Sequence, residues 1–343
     1  MSGFVPGLEL SRAFYAQVVA PLLRDVRHSA ALIGPGSEVL AFDTARSVDH
    51  DWGPRVLVFV EPGAAERVRG RVAAELPERF GGYRTVFAYR GVLGPGATVS
   101  ELGPWLSGVL GFDPREGVGV ADWLAVPWQR LAEVTAGEVF HDGLGELEAV
   151  RAALRWYPAD VWRYVLACQW RRLAAEESFP GRCAEVGDEL GSAVVTARLV
   201  REAMRLALLM RRRYPPYAKW LGSALRRVPG SLELGEALAA ALAARSWPNR
   251  EAGLCAAYEL LAGWHNRLGL TEPLQGRVRA FHDRPFRVIG GERFAQALLA
   301  RVTDPAVRAL PEVGCVDQLG EASEVLVRPQ LARRVAAAGL GLD

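Results

Sequence analysis

The stretch SVDHDWGPRVLVFV sets Asp49 and Asp51 on either side of His50, just ahead of an apolar run with the β-branched and aromatic composition of a buried strand. Side chains on a strand alternate faces with a period of two. The spacing therefore predicts both carboxylates on one face and His50 on the other. Two such carboxylates repel each other and stay ionised only with a cation between them. Oxygen-only ligands suit Mg²⁺, which keeps several waters and bridges protein carboxylates to substrate phosphates. Twelve residues before Asp49, Ser37 ends the small-residue run Gly34-Pro35-Gly36-Ser37, which follows the short apolar stretch SAALIG. Loops of this kind let backbone N–H groups approach a phosphate, and a serine hydroxyl adds one more donor. Metal carboxylates beside a phosphate cradle are the parts needed for phosphoryl or nucleotidyl transfer.

Several elements must position these residues. LELSRAFYAQVVAPLLRDVR has helical spacing with Pro21 as a kink. SAALIG and VLVFV read as buried strands, AAERVRGRVAAELPERF as a helix, GYRTVFAYR as a third strand and GATVS as a short fourth. EVFHDG reads as a brief extended piece and the chain beyond it as helices. The expectation is an α+β fold: a mixed sheet with helices over residues 1–145, then an all-α domain over 146–343. At 343 residues, two domains are the natural division.

Composition narrows the function classes. The net charge of +2 gives no push toward nucleic acid or an anionic membrane. No apolar run is long enough to span a bilayer, and the N-terminus lacks the pattern of a secretory signal. Cys168, Cys183, Cys255 and Cys315 are scattered, without zinc-site spacing. The five histidines show no HExxH or HxxxH spacing. These features are those of a cytoplasmic protein, monomeric or homodimeric. His141 and Asp142, like His282 and Asp283, are adjacent and face opposite sides of any strand, so they read as structural. Lys219 is the one lysine among 41 basic residues, which suggests a place where a compact ammonium is needed.

The order helix, strand, Gly-Ser, loop, Asp-x-Asp resembles the nucleotidyltransferase superfamily, which includes DNA polymerase beta and the aminoglycoside nucleotidyltransferases. GPGSEVLAFDTARSVDHDWGPR is more closely similar to a bacterial nucleotidyltransferase-like family whose members are mostly uncharacterised. That similarity runs on through VFHDGLGEL, EVGDELGS and YPPYAKWLG. The resemblance implies that Gly36 and Ser37 contact a nucleoside triphosphate, ATP being the first expectation, and that Asp49 and Asp51 bind Mg²⁺. It implies transfer of a nucleoside monophosphate to a hydroxyl of a small-molecule or protein acceptor. A helical second domain would supply a general base, for which Glu176 and Glu177 are the first candidates and Glu185, Asp188 and Glu189 the alternatives. Lys219 and Arg46 are candidates to neutralise the phosphates.

The chain departs from the superfamily in two places. Its Gly-Ser to Asp-x-Asp gap is lengthened by FDTARS. The third carboxylate, usual on a later strand, is missing from TVFAYR and GATVS, and Glu101 lies just beyond. Glu101 completes the metal set, or two carboxylates suffice, or the protein binds nucleotide without turnover in a regulatory role. A toxin-like transferase acting on RNA or protein is a further alternative.

Overall fold

The computed structural model describes residues 4–89, 91–320 and 322–341. The fold is α+β, and the chain divides into two units: residues 1–119 with 129–155, and residues 120–128 with 156–343. The boundary thus falls at 155/156, ten residues beyond the one expected from sequence, and a short segment at 120–128 belongs to the second unit.

The strands of the first unit are β1 (His28–Leu32), β2 (Val56–Val60), β3 (Arg79–Phe80), β4 (Tyr83–Arg84), β5 (Val86–Tyr89), β6 (Val92–Pro95), β7 (Ala97–Glu101) and β8 (Glu138–Asp142). Four of them form the main sheet in the order β7-β2-β1-β8. β1 is antiparallel to both neighbours, while β2 and β7 are parallel. Every residue of β1 is buried, as a central strand covered on both faces requires.

GATVS is the segment that joins the sheet, as β7, and EVFHDG supplies its other edge as β8. GYRTVFAYR does not join. It divides at Thr85, whose backbone N–H bonds Glu78 and whose carbonyl accepts from Gly96, and its second half pairs with β6 as a separate hairpin. β5 is only half buried, alternating exposed and partly covered residues, so it lacks the two apolar faces that an interior strand needs.

The first helix runs as α1 (Gly7–Phe14), a π-helical turn at Tyr15–Val19, and α2 (Ala20–Leu22). The π turn sits directly before Pro21, which has no N–H to give the helical ladder, so the sequence-expected kink takes this form. Phe14, Val19 and Leu23 from this helix pack with Val68 and Val72 of α3 (Ala65–Glu75) and with Ala30, Val58 and Val99 of the sheet. After α4 (Leu102–Leu110), the chain passes through α5 (Val120–Ala125) and returns along α6 (Trp128–Thr135) to β8 and α7 (Leu147–Ala153).

Asp142 is structural, as its place beside His141 suggested. Its carboxylate accepts the Ser29 hydroxyl at 2.6 Å and the backbone N–H groups of Gly145, Leu147 and Glu148, joining β1 to the start of α7.

The second unit is helical apart from a ribbon of Arg279–Ala280 against Arg287–Val288. Its main helices are α8 (Ala159–Glu176), α9 (Phe179–Glu185), α10 (Glu189–Met210), α11 (Ala218–Arg226), α12 (Leu232–Ala243), α13 (Trp247–Arg267) and α14 (Glu292–Leu299). Trp170 of α8 stacks on Phe294 of α14 at 4.4 Å, and Arg250 of α13 bonds Ser192 of α10. No helix among the described residues is long and apolar enough to cross a membrane.

Burial alone would raise the Asp142 carboxyl, but its four donors outweigh that and hold it below its ordinary value. A depressed carboxyl stabilises the fold above about pH 4 and loses that contribution as pH falls further. Asp142→Ala is expected to cost about 1–3 kcal/mol at neutral pH in urea unfolding. The gap to wild type should narrow below about pH 4.

Candidate functional site

The antiparallel register of β1 and β2 pairs His28 with Val60 and Ala31 with Leu57. The chain leaving β1 and the chain entering β2 therefore lie at the same end of the sheet. The first carries Gly34–Ser37 and the second carries Asp49–Arg55, so the two sequence motifs come to one place. Leu32 faces Glu138 at this end, and Arg12 holds the Glu138 carboxylate.

The Gly34–Ser37 loop is fixed on both sides. Gly34 N–H donates to Glu133 O at 2.8 Å, and Gly137 N–H donates to Val39 O at 3.0 Å. Gly34 has φ +86° and Gly36 φ +150°, a left-handed backbone that favours glycine. A Cβ on Gly36 would also lie 2.5 Å from Arg55 Nη2 and 2.6 Å from Glu38 Oε1, so neither conformation nor space admits a side chain.

The lengthened gap between the motifs is a built loop. Asp43 Oδ2 accepts from Gly7 N–H at 2.7 Å and from Trp52 Nε1 at 3.2 Å. Thr44 and Ser47 cap a 3₁₀ turn at Ala45–Asp49 by reciprocal bonds. Trp52 is buried beside Phe4 and Tyr83. Arg46 and Asp49 lie on the exposed 3₁₀ turn, where Asp49 Oδ1 meets His50 Nδ1 at 2.6 Å.

This corrects the strand-based reading of the aspartates. β2 begins only at Val56, and Asp49, His50 and Asp51 occupy 3₁₀, extended and left-handed backbone in succession, with Asp51 at φ +50°. Period-two alternation does not govern where they point. The physical reason is the pair Gly53-Pro54. Phe87 of the hairpin packs directly on Gly53, and Pro54 O approaches Gly96, so the chain is held off the ladder until Val56.

Glu101 does not complete a metal site with the aspartates. It pairs with Val60 at the far end of β2, about 13 Å along the strand from Val56, and its carboxylate accepts the Gly63 N–H at 2.8 Å. Among the described residues no group of three or more His, Cys, Asp and Glu is arranged to hold a metal ion. Of the three expected ligands, Asp49 and Asp51 lie on the one segment ahead of β2 and Glu101 lies apart.

The helical candidates divide. Glu177 is buried, and its oxygens accept from the backbone of Ile289, Gly290 and Gly291, at the start of α14. It serves as an anchor for that turn, its carboxylate buried and engaged by three backbone N–H groups. Glu176 pairs with Arg198 at 3.2 Å. Glu185 pairs with Arg284, Asp188 caps α10 through Gly191 N–H, and Glu189 pairs with Arg250. Lys219 lies in the first turn of α11, exposed, with Nζ 5.7 Å from the Trp220 ring centre.

Two residues at the motif end of the sheet escaped sequence reasoning. Glu38 follows Ser37 directly and Arg55 precedes β2. Arg55 Nη2 and Glu38 Oε1 approach to 2.6 Å, with side-chain exposures of only 9% and 1%. Burial pushes the Glu38 carboxyl up, and Arg55 opposes the rise. The Arg55 guanidinium also stacks on Tyr89 at 4.4 Å, and the Tyr89 hydroxyl donates to Pro35 O. The signal was present as a single acid inside the apolar run after Ser37 and a single base before VLVFV, since such residues are buried only in pairs.

A profile for a domain of unknown function, DUF4037, matches residues 123–221, which span α5 to the first half of α11. No curated protein and no solved structure matches the chain.

Gly36→Ala is expected to destabilise the protein by about 1–3 kcal/mol, since it meets both a left-handed backbone and the Glu38–Arg55 contact. Gly70→Ala, in the middle of α3 with open space where its Cβ would lie, should stabilise by about 0.4–1 kcal/mol. Opposite signs in thermal unfolding would support this assignment, and a neutral Gly36→Ala would contradict it.

Proposed function

We propose that the motif end of the sheet binds a nucleoside triphosphate and directs nucleotidyl transfer to a hydroxyl-bearing acceptor. The observation that carries this reading is the convergence of Gly34–Ser37 and Asp49–Asp51 at one end of the β1–β2 pair. The backbone N–H groups of the Gly36–Ser37 loop and the Ser37 hydroxyl would hold the phosphates. The all-oxygen donor set suits a hard cation, and Asp49 is half exposed. Asp49 and Asp51 would hold Mg²⁺, which would offset charge on the triphosphate as it reacts.

In the step itself the acceptor oxygen forms a bond to the α-phosphorus while the bond to the bridging oxygen breaks. Pyrophosphate leaves with the electron pair, and the acceptor proton passes to a general base or to solvent. Arg46, on the same loop as Asp49, is a candidate to balance the departing charge. Positioning and charge neutralisation would supply most of the rate.

A second reading, a nucleotide-binding protein without turnover, is favoured by one observation. Glu101 stands at the wrong end of β2 to act as a third metal carboxylate.

Calorimetry with each nucleoside triphosphate and Mg²⁺ tests the proposal. Wild type should bind at least one triphosphate, and Asp49→Asn/Asp51→Asn should weaken binding by at least about tenfold while remaining folded. A folded wild type that binds no triphosphate would sink it. Binding without pyrophosphate release across a panel of hydroxyl-bearing acceptors would favour the second reading.

A further inference from the structure

Building on the triphosphate reading, we propose that Glu38 and Arg55 are positioning residues whose buried ion pair ties the Gly34–Ser37 loop to the Asp49–Asp51 segment and sets the phosphate cradle in register with the carboxylates. Each partner lies beside one motif in sequence: Glu38 follows Ser37 directly, and Arg55 comes four residues after Asp51 at the end of the DHDWGPR run.

Four contacts converge on the pair. Glu38 Oε1 meets Arg55 Nη2 at 2.6 Å. Gly36 packs so closely that a Cβ there would collide with both groups. Tyr89 covers the guanidinium at 4.4 Å and bonds the Pro35 carbonyl, which precedes Gly36. The Arg55 backbone N–H donates to Ser11 Oγ at 3.2 Å, fixing the other end of the residue on α1. The loop conformation of Gly36 and the location of Arg55 are therefore one geometric condition.

Stability does not account for placing charge here. A buried ion pair is no more stabilising than apolar residues of the same volume, because desolvation consumes the attraction. This pair is also incompletely satisfied. Both Glu38 oxygens and the Arg55 Nε and Nη2 atoms lack a well-aligned hydrogen bond among the described residues. Asp43 adds a nearby negative charge that Glu38 must tolerate. A directional, poorly compensated pair between two loops is explained by registration: it fixes a distance that an apolar contact would leave loose.

The test separates position from fold. Urea unfolding and calorimetric titration with Mg²⁺ and the triphosphate that wild type binds are run on Glu38→Ala, Arg55→Ala and the apolar pair Glu38→Met/Arg55→Met. Glu38→Gln/Arg55→Gln stands in where the apolar pair fails to fold. Each single variant should lose stability, since it strands a buried charge. The double variant should recover near wild-type stability yet bind the triphosphate at least about tenfold more weakly. A double variant that is folded and binds like wild type overturns the inference and leaves the proposed function standing. Wild type that binds no triphosphate overturns both.

Discussion

His28 faces Val60 and Ala31 faces Leu57 across the β1–β2 pair, and most of the first unit follows from that antiparallel alignment. Because the strands run in opposite senses, the residues after β1 and the residues before β2 must meet. A parallel pairing would have put the Gly-Ser loop and the aspartates at opposite ends of the sheet. β7, at the sheet edge, pairs parallel to β2, and that carries Glu101 to the far end. The antiparallel pairing thus brings two motifs together, and the parallel one removes the third candidate. The burial of β1 on both faces makes the alignment hard to slip, since a one-residue shift would exchange every side chain between the two packed faces.

The local conformation of each loop then adds what the sheet cannot. Twenty-three residues separate Leu32 from Val56, and a loop of that length inside a compact unit needs internal order. Asp43, Thr44 and Trp52 provide it by tying the loop to α1, capping its 3₁₀ turn and burying an indole. The Glu38–Arg55 pair closes the base of the loop, just where the chain leaves one strand and joins the next. The hairpin of β5 and β6 covers this base through Tyr89 and Phe87. A segment that reads as a third strand of the sheet therefore serves the site from above instead of extending the sheet.

Sequence reading recovered the elements whose signals are local. SAALIG, VLVFV and GATVS are strands because β-branched and apolar residues dominate them, and the long helical stretches appear where their spacing put them. What escaped it depends on partners distant in the chain. Nothing in DHDW announces that β2 starts five residues after Asp51, because the obstruction comes from Phe87 and Gly96. Nothing in AAEES shows that Glu177 anchors a turn more than a hundred residues away. Asp142 read as structural because it adjoins His141 on a strand, and its bonds to Ser29 and to nearby backbone are what the structure adds. The boundary at 155 was missed because α7, which reads as the first helix of a helical domain, is bound to β1 and β8 through Asp142.

Charge accounts for what a ligand at the motif end would have to bring. Glu38 and Arg55 cancel each other, and Glu138 is neutralised by Arg12. Acidic residues outnumber basic ones in the loop that carries Asp49 and Asp51, so by sequence the loop has a negative excess. A bare triphosphate would be repelled by it. On the proposed reading, nucleotide and divalent cation must therefore arrive together, with the cation's charge shared between two carboxylates and the phosphate oxygens. With Glu101 at the far end of β2, the proposed metal set has two aspartates. On that reading two carboxylates alone would hold the cation weakly, and phosphate oxygens would supply further ligands.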